Sequence, residues 1–262
     1  MSAKKTSEKA GTTDKSISAV VRTMAVLEAL SEGGFFSFET LSERVGLAKP
    51  TLFRFLKTLK SLGYVSQSED SKYSLSLKML NVGSKALESM DLCEVARNVI
   101  KRLATHFNET VHLAIMVDEK VAYIQKVESK YTIRMYSTIG KQAPLYCTSL
   151  GKSLLAWAPN QKDIIERINL IPYTKNTIVT MKNLELELAK TRERGYSLDD
   201  EEHESDIHCI GAPIFDYSGA PVAALSVAWP NFRYNAAKEK QNALIIIKAA
   251  NEISHLMGNQ RR

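Results

Sequence analysis

Between residues 17 and 63, apolar side chains recur every three or four positions. This spacing predicts a helix over 17–30 and, within 38–63, two short helices joined by a tight turn. Ser37 is the predicted N-cap, Gly46 the predicted turn, and Pro50 lies near the start of the second helix. The predicted buried stripes are Val20, Val21, Met24, Leu27 and Leu30, then Phe38, Leu41 and Val45, then Leu52, Phe55, Leu56, Leu59 and Leu62.

The second short helix has a basic face opposite its apolar stripe. Residues 44–68 contain five basic side chains and no acidic one. Two helices in this arrangement fit a helix-turn-helix, whose second helix reads DNA, whereas a solvated amphipathic helix is the plain alternative. Arg54 can reach a guanine edge, Thr51 a base edge or a phosphate, and Phe53 a thymine methyl group. The predicted DNA-binding residues are Lys49, Thr51, Phe53, Arg54, Lys57 and Lys60.

A short β-hairpin is predicted directly after this helix. Residues 64–65 and 73–75 have strand character and flank a polar turn, which is the winged form of the motif with Lys72 beside the DNA backbone. We expect a disordered tail over 1–15, a winged helix-turn-helix domain over 16–76 and a linker helix over 77–90. An apolar stripe on the linker helix, with Leu77, Leu80, Ala86 and Leu87, would form a dimer seam if it is exposed, and packing on its own domain is the alternative.

The remainder of the chain has the pattern of a second domain, over 91–262. Asp91 is the predicted N-cap of a helix that runs to Phe107. Strands are predicted over 111–117, 121–128, 133–136, 209–215 and 221–228, and helices over 153–157, 163–168, 183–194 and 236–257. The fold class is therefore α+β, with a mostly antiparallel sheet covered by helices.

Composition changes this picture little. The 262 residues carry a net charge of +6, of which residues 1–90 contribute +4, so the local basic face carries the DNA-binding inference. Three widely spaced cysteines, without a CxxC pair, favour a reducing cytoplasm. No apolar run has membrane-spanning length and the N-terminus lacks the apolar core of a signal peptide, so we expect a cytoplasmic protein without a membrane partner.

Five segments resemble the IclR family of bacterial transcriptional regulators over about residues 17–258. They are KPTLFRFLKTLKSLGYV (49–65), YSLSLKML (73–80), PLYCTSLGKSLLAW (144–157), GYSLDDEEHESDIHCIGAPIFD (195–216) and ALSVAWP (224–230). Within the family, residues 133–157 most resemble the repressors of pectin and 2-keto-3-deoxygluconate catabolism. The resemblance implies a GAF-like effector domain behind the winged helix, double-stranded operator DNA and a small carboxylate or sugar-acid effector as partners, and a homodimer or homotetramer.

The resemblance also implies an effector pocket. Its predicted residues are Met135 as an apolar wall, Ser149 and Leu150 with backbone N–H groups near a helix start, Asp199, Cys209 and Ser226. The chain departs from the family pattern at Ala228, where a second serine is usual, at Asp206 for glycine, at His208 for arginine, and at Pro50 for serine. The first removes a hydroxyl donor from the pocket, and the last removes a phosphate contact.

The sequence also contains candidate residues for a metal site and for catalysis. His203, His208 and Cys209 lie near four acidic residues, but their spacing matches no strong metal signature, and we expect no cofactor. Cys147 and His112 lack an oxyanion motif, so an enzyme is disfavoured. We expect a repressor of a sugar-acid catabolic operon. The alternatives are an enzyme fused to a helical domain, and a DNA-binding or assembly protein whose C-terminal domain is non-sensing or binds a metal.

Overall fold

The computed structural model describes residues 18–88, 91–135 and 137–260, and it divides the chain into two compact units, 1–89 and 90–262. The tail predicted over 1–15, the end of the predicted linker helix at 89–90, and Tyr136 lie outside the described residues. The side chains of residues 86–88 are likewise not described. No helix of the described part is long and apolar enough to cross a bilayer.

The first unit is a winged helix-turn-helix, as predicted. Its elements are α1 (Ser18–Ser31), α2 (Phe38–Val45), α3 (Lys49–Ser61), β1 (Val65–Gln67), β2 (Tyr73–Leu75) and α4 (Lys78–Glu88). Ser37 caps α2 by accepting a hydrogen bond from the Thr40 N–H at 3.1 Å. Gly46 ends α2 with a φ of 65°, a left-handed conformation that suits glycine. The strands β1 and β2 pair antiparallel as the wing.

The core of this unit differs in part from the predicted stripes. Leu52, Leu56 and Leu59 of α3 are buried as expected, together with Leu41. Leu62 was predicted to be buried but is 52% exposed, because α3 ends at Ser61 and the chain turns away.

In α1 the predicted stripe is correct only near its end. Val20, Val21 and Met24 are about half exposed, Leu27 is partly buried and Leu30 is buried. Val26, which was not in the predicted stripe, is also buried. The small core reaches only the second half of the helix, so the apolar side chains of its first turns remain at the surface.

The second unit is built on one antiparallel sheet of six strands in the order β5-β4-β3-β8-β7-β6. Its strands are β3 (Thr110–Val117), β4 (Lys120–Val127), β5 (Gln142–Pro144), β6 (Ser197–Asp200), β7 (Ile207–Phe215) and β8 (Pro221–Pro230). Its helices are α5 (Leu92–Phe107), α6 (Ser149–Trp157), α7 (Gln161–Arg167), α8 (Met181–Arg194) and α9 (Glu239–Leu256). The predicted α+β class is confirmed.

Helices cover both faces of the sheet. On one face Leu225, Val227 and Trp229 of β8 belong to the core formed with α5 and α9. Ala224 of the same strand points to the opposite face, into the core formed with α6, α7 and α8. Alternation along each strand therefore decides which helical layer a side chain meets.

Three predictions for this unit were wrong. Residues 133–135 form no strand, since the chain folds back on itself near Ser129, whose Oγ donates to the Asn108 carbonyl at 2.7 Å. The edge beside β4 is occupied by β5 instead. No strand was predicted over 197–200, where the sequence is acidic and β6 forms. The helix α6 begins at Ser149 rather than at the predicted Ser153.

A matched pair of glycine substitutions tests the packing of α6. A Cβ at Gly151 would overlap backbone atoms of Leu145, whereas a Cβ at the helical Gly83 meets nothing within 4 Å. We expect Gly151→Ala to reduce the free energy of unfolding by about 1–3 kcal/mol through overpacking. Gly83→Ala should raise it by about 0.5–1 kcal/mol through helix propensity. Urea unfolding measures both, and equal effects of the two changes would contradict the proposed close approach of α6.

Candidate functional site

The outer face of α3 carries the predicted DNA contacts. Lys49, Phe53, Arg54, Lys57 and Lys60 are exposed, and Thr51 is half-buried at the margin of the face. At about 100° per residue, the positions of Phe53, Arg54 and Lys57 lie opposite the buried leucines. Within the described residues, no carboxylate forms an ion pair with Lys49, Arg54 or Lys57, which leaves these cations available for phosphates.

Lys60 occupies a different environment from the other cations of α3. Its Nζ donates to Oε1 of Gln67 on β1 at 2.8 Å, so Lys60 links the helix to the wing. Lys72 is exposed in the turn between β1 and β2. The basic surface therefore extends from α3 onto the wing.

The second unit contains a small enclosed cavity on the α6 side of the sheet. Its volume is about 10 Å³, counted as the positions open to the centre of a water molecule. This is room for about one water molecule. It is lined by the six predicted effector residues, Met135, Ser149, Leu150, Asp199, Cys209 and Ser226, and also by His112, Tyr123, Thr148 and His203. The structure thus brings together residues from five strands, two loops and a helix start.

The N-terminus of α6 forms one wall of this cavity. Thr148 caps the helix, since its Oγ1 accepts a hydrogen bond from the Gly151 N–H at 3.1 Å. Ser149 and Leu150 are the first two helical residues, and the helix itself offers no acceptor to their N–H groups. These donors and the positive end of the helix dipole favour an anion there.

Strand register supplies the facing wall. Asp199 of β6 pairs with Cys209 of β7, and His112 of β3 pairs with Ser226 of β8. The Cys209 thiol lies near the Ser149 side chain, which brings β7 close to the helix start. The loop residue Met135 packs on Cys209 and Ala228.

A buried charge cluster lies behind the cavity. Lys152 of α6 is fully buried and forms an ion pair with Glu202, which is itself 6% exposed. Oδ1 of Asp199 accepts hydrogen bonds from the N–H groups of Glu202 at 2.9 Å and His203 at 3.3 Å. Burial raises the pKa of Asp199 to about 7; Lys152 opposes this rise and Glu202 adds to it.

The remaining titratable groups of the cavity are neutral at physiological pH. Burial, aided by the charge of Lys126, lowers the pKa of His112 to about 3, and its Nε2 lies 2.6 Å from Oγ of Ser137. Burial also raises the pKa of the Cys147 and Cys209 thiols above the ordinary value. Neither cysteine is therefore a thiolate nucleophile, which weighs against the enzymatic alternative.

Sequence analysis did not assign His112, Tyr123, Thr148 and His203 to the cavity. The sequence contained a signal that His112 lines a cavity. His112 lies between Val111 and Leu113, whose side chains are buried on the other face of the sheet. A polar side chain in a buried strand is unusual enough to suggest a lined cavity. Tyr123 of β4 and the N-cap Thr148 become visible only once the sheet and α6 are placed.

The departure from the family pattern at His208 lies away from the cavity. His208 is on the opposite face of the sheet, where its ring stacks on Tyr234 at 4.3 Å and its Nδ1 lies 2.8 Å from Oδ1 of Asp200. In the described part of the chain, Asp200, Glu201 and His208 are the acids and imidazole close enough to share an ion. The His208 ring already contacts Asp200 through Nδ1 and Asn231 through Nε2. His208, Asp200 and Asn231 therefore form a hydrogen-bonded group at the surface.

Comparison with known proteins identifies both units. The family model described as "Bacterial transcriptional regulator IclR C-terminal" matches residues 84–255, and the model "IclR helix-turn-helix domain" matches residues 19–69.

Curated relatives match over nearly the full chain. The transcriptional regulator KdgR of Escherichia coli K12 is 39% identical over 93% of this chain and 94% of its own. The transcriptional repressor IclR of the same organism is 31% identical over 94% of this chain and 92% of its own. The Thermotoga maritima IclR structure is 30% identical, with a TM-score of 0.62, over 91% of this chain and 98% of its own. The match to KdgR confirms the subfamily resemblance that residues 133–157 indicated.

The buried ion pair gives a prediction about stability. Lys152→Met should reduce the free energy of unfolding by about 3–5 kcal/mol at pH 7.5, because it leaves buried carboxylates without a cation. The loss should shrink as the pH falls, because burial raises the pKa of both Asp199 and Glu202 and their protonation removes the unpaired charge. Denaturant unfolding at pH 5.5 and 7.5 measures this. The exposed Lys162→Met should change stability by at most about 0.5 kcal/mol, and a similar small effect at Lys152 would contradict the buried pair.

Proposed function

This chain belongs to the IclR family of bacterial transcriptional regulators, and from that premise we propose that a small carboxylate of the 2-keto-3-deoxygluconate kind lowers its affinity for operator DNA. The chain is a DNA-binding transcriptional regulator, as are its relatives, rather than an enzyme. Its proposed role is the repression of a sugar-acid catabolic operon, in the cytoplasm where the DNA lies.

The DNA partner is read by the exposed face of α3. Lys49 and Lys57 neutralise phosphates, while Arg54 and Phe53 reach base edges in the major groove. Thr51 lies at the margin of this face, where a phosphate is the nearer partner. Lys60 positions the wing through Gln67 and contributes charge rather than base contacts.

One observation carries the effector proposal, namely that all six predicted effector residues line the same enclosed cavity. The effector carboxylate binds the free N–H groups of Ser149 and Leu150 at the start of α6. The Ser226 hydroxyl and the Asp199 carboxyl bind the remaining polar atoms of the sugar acid. Met135 covers its carbon chain. Ala228 offers no hydroxyl, so the ligand has one donor fewer than the family pattern supplies.

The size of the cavity links binding to a conformational change. A sugar acid is much larger than one water molecule, so its entry requires the cavity walls to move apart. A ligand shifts such an equilibrium only by its differential affinity for the two states. In the proposed mechanism, the conformer with the widened cavity binds the ligand, and its recognition helices no longer fit the operator.

A dimer or tetramer is the proposed assembly. In the first unit, α1 exposes Val20, Val21 and Met24, and the region of α4 exposes Leu77 and Leu80. Apolar side chains concentrated on two helices are typical of an interface between copies. Paired recognition helices would then meet two half-sites of one operator.

Arg54→Ala tests the recognition face. We expect a loss of about 1–3 kcal/mol in operator affinity and a relaxed preference at one base pair, because a bidentate guanine contact is removed. Lys57→Ala should instead weaken specific and random DNA alike and reduce the salt slope by about one. Fluorescence anisotropy against operator and single-base variants measures both. Operator binding by Arg54→Ala that matches the wild type would refute this placement.

Ser226→Ala tests the effector cavity. Removing one hydroxyl should weaken 2-keto-3-deoxygluconate binding by about 1 kcal/mol, with unchanged DNA affinity when no ligand is added. Isothermal titration calorimetry and anisotropy give the two values. Ser218→Ala, in an exposed turn, is the matched control and should leave both unchanged. An effect of equal size at both serines, or at neither, would place the ligand elsewhere.

A further inference from the structure

Asp199 is the carboxylate among the residues that line the cavity. Both of its hydrogen bonds, from the N–H groups of Glu202 and His203, go to Oδ1. Within the described residues, Oδ2 has no hydrogen-bond partner, although the side chain lines the cavity and the residue is only 4% exposed. Among the described residues, the carboxylate oxygen that is fully buried without a partner is Oε2 of Glu202, whereas Oδ2 of Asp199 belongs to a side chain that lines the cavity and can meet a ligand there.

Of the three lysines near the cavity, two have partners and the third is exposed. Lys152 is fully buried and paired with Glu202. Lys126, on the His112 side, donates to Glu128 at 2.9 Å and to the Ser137 carbonyl at 2.8 Å. Lys141, which faces His203, is exposed. None of these lysines is therefore available inside the cavity to neutralise both Asp199 and a bound carboxylate.

The other groups that face Asp199 bring no positive charge. Glu202 and Glu204, from the turn after β6, are acidic, and burial lowers the pKa of His203 in the same turn. His112 of β3 stays neutral, as do the groups whose pKa burial raises, namely Tyr123 of β4, Cys147 before α6 and Cys209 of β7. The helix dipole of α6, equivalent to roughly half a positive charge, offsets only part of one negative charge.

A ligand carboxylate at the start of α6 would lie close to Asp199. Ser149, Cys209 and Asp199 line the same cavity, and Cys209 is the cross-strand neighbour of Asp199. Cross-strand Cβ atoms are about 4.5–5.5 Å apart, so the helix start and the acid share one wall of the cavity. Two carboxylates that close, in a site shielded from water, cannot both be ionised without a large penalty.

We propose that the cavity takes its carboxylate ligand together with one proton, which Asp199 holds, and that Oδ2 of the protonated acid donates a hydrogen bond to the ligand. This inference rests on the proposed effector function and narrows the ligand class. The ligand carries, beside its carboxylate, an acceptor oxygen such as that of a 2-keto group. A cationic or uncharged ligand gains nothing from the proton.

Burial already prepares the proton in the absence of ligand. The pKa of Asp199 is raised to about 7, so the acid is close to half protonated at neutral pH. A bound carboxylate raises that pKa further, because like charge disfavours ionisation. The ligand therefore binds tightly in mildly acidic solution and loses affinity as the pH rises above 7.

Calorimetric titration of the full-length wild-type protein with 2-keto-3-deoxygluconate, and with pyruvate as a smaller 2-keto acid, tests this between pH 6 and 9. We expect the dissociation constant to rise by up to about tenfold per pH unit above pH 7. Buffers of different ionisation enthalpy should report uptake of close to one proton per ligand at pH 8. A dissociation constant that is constant over this range, or no proton uptake, would overturn the proposal.

Asp199→Asn mimics the protonated acid, since its amide donates from the same position. It should bind the ligand at pH 6 within about threefold of the wild type, lose the pH dependence, and bind more tightly than the wild type at pH 9. Binding more than tenfold weaker at pH 6 would show that the ionised form is required. Asp200→Asn, on the opposite face with an exposed side chain, is the control and should retain the wild-type pH profile.

A ligand-free measurement separates this proposal from the choice of effector. Carbon-13 NMR of protein labelled at the aspartate carboxyl carbon, assigned by the signal missing in Asp199→Asn, follows the acid directly. A titration midpoint near 7 supports the proposal even if neither 2-keto acid binds, in which case only the effector identity fails. A midpoint near 4 overturns the proposal whichever ligand binds.

Discussion

The close packing of the α6 N-terminus on the sheet is the constraint from which the rest of the second unit follows. A Cβ at Gly151 would overlap the Leu145 backbone, and a Cβ at Gly211 would lie 2.9 Å from the Ser149 carbonyl oxygen and from Oγ of Ser197. Oγ of Ser197 in turn donates to that carbonyl at 2.5 Å. Two glycines and one hydroxyl thus bring the free N–H groups of the helix against β6 and β7. Backbone donors at the start of α6 therefore form a wall of the cavity.

The same packing decides the electrostatics of the site. It buries Lys152 completely and pairs it with Glu202, so this cation serves the fold and not a ligand. The anion-binding capacity that remains comes from the helix start, and its limited charge gives the protonation of Asp199 its importance. Asp199 is an acid beside an anion-binding helix start, which is the opposite of charge complementarity. A proton shared between the protein and its ligand resolves the contradiction, and it makes the affinity sensitive to mild changes of pH.

How far the sequence predicted this arrangement depends on the range of the interactions. Local signals were reliable, since the caps at Ser37 and Asp91 and the glycine turn at 46 stand where they were expected. Nonlocal packing was not predictable, since the exposure of Leu62 and Val20 depends on where a small core ends. The strand β6 has the acidic sequence of a solvated loop, and pairing with β7 buries Asp199 all the same. Family resemblance selected six cavity residues, but His112 and Tyr123 required the sheet register.

The most direct test of the account is the affinity of the full-length protein for duplex DNA from upstream of its own gene. Fluorescence anisotropy at one fixed salt concentration, with and without saturating 2-keto-3-deoxygluconate, measures it, since affinity depends steeply on salt. The account predicts binding that is strongly preferred over random DNA and that the sugar acid weakens by about 5- to 150-fold, the usual range of allosteric coupling. Specific binding that ignores the sugar acid would contradict the effector proposal. Equal affinity for random DNA would contradict recognition of this operator by α3.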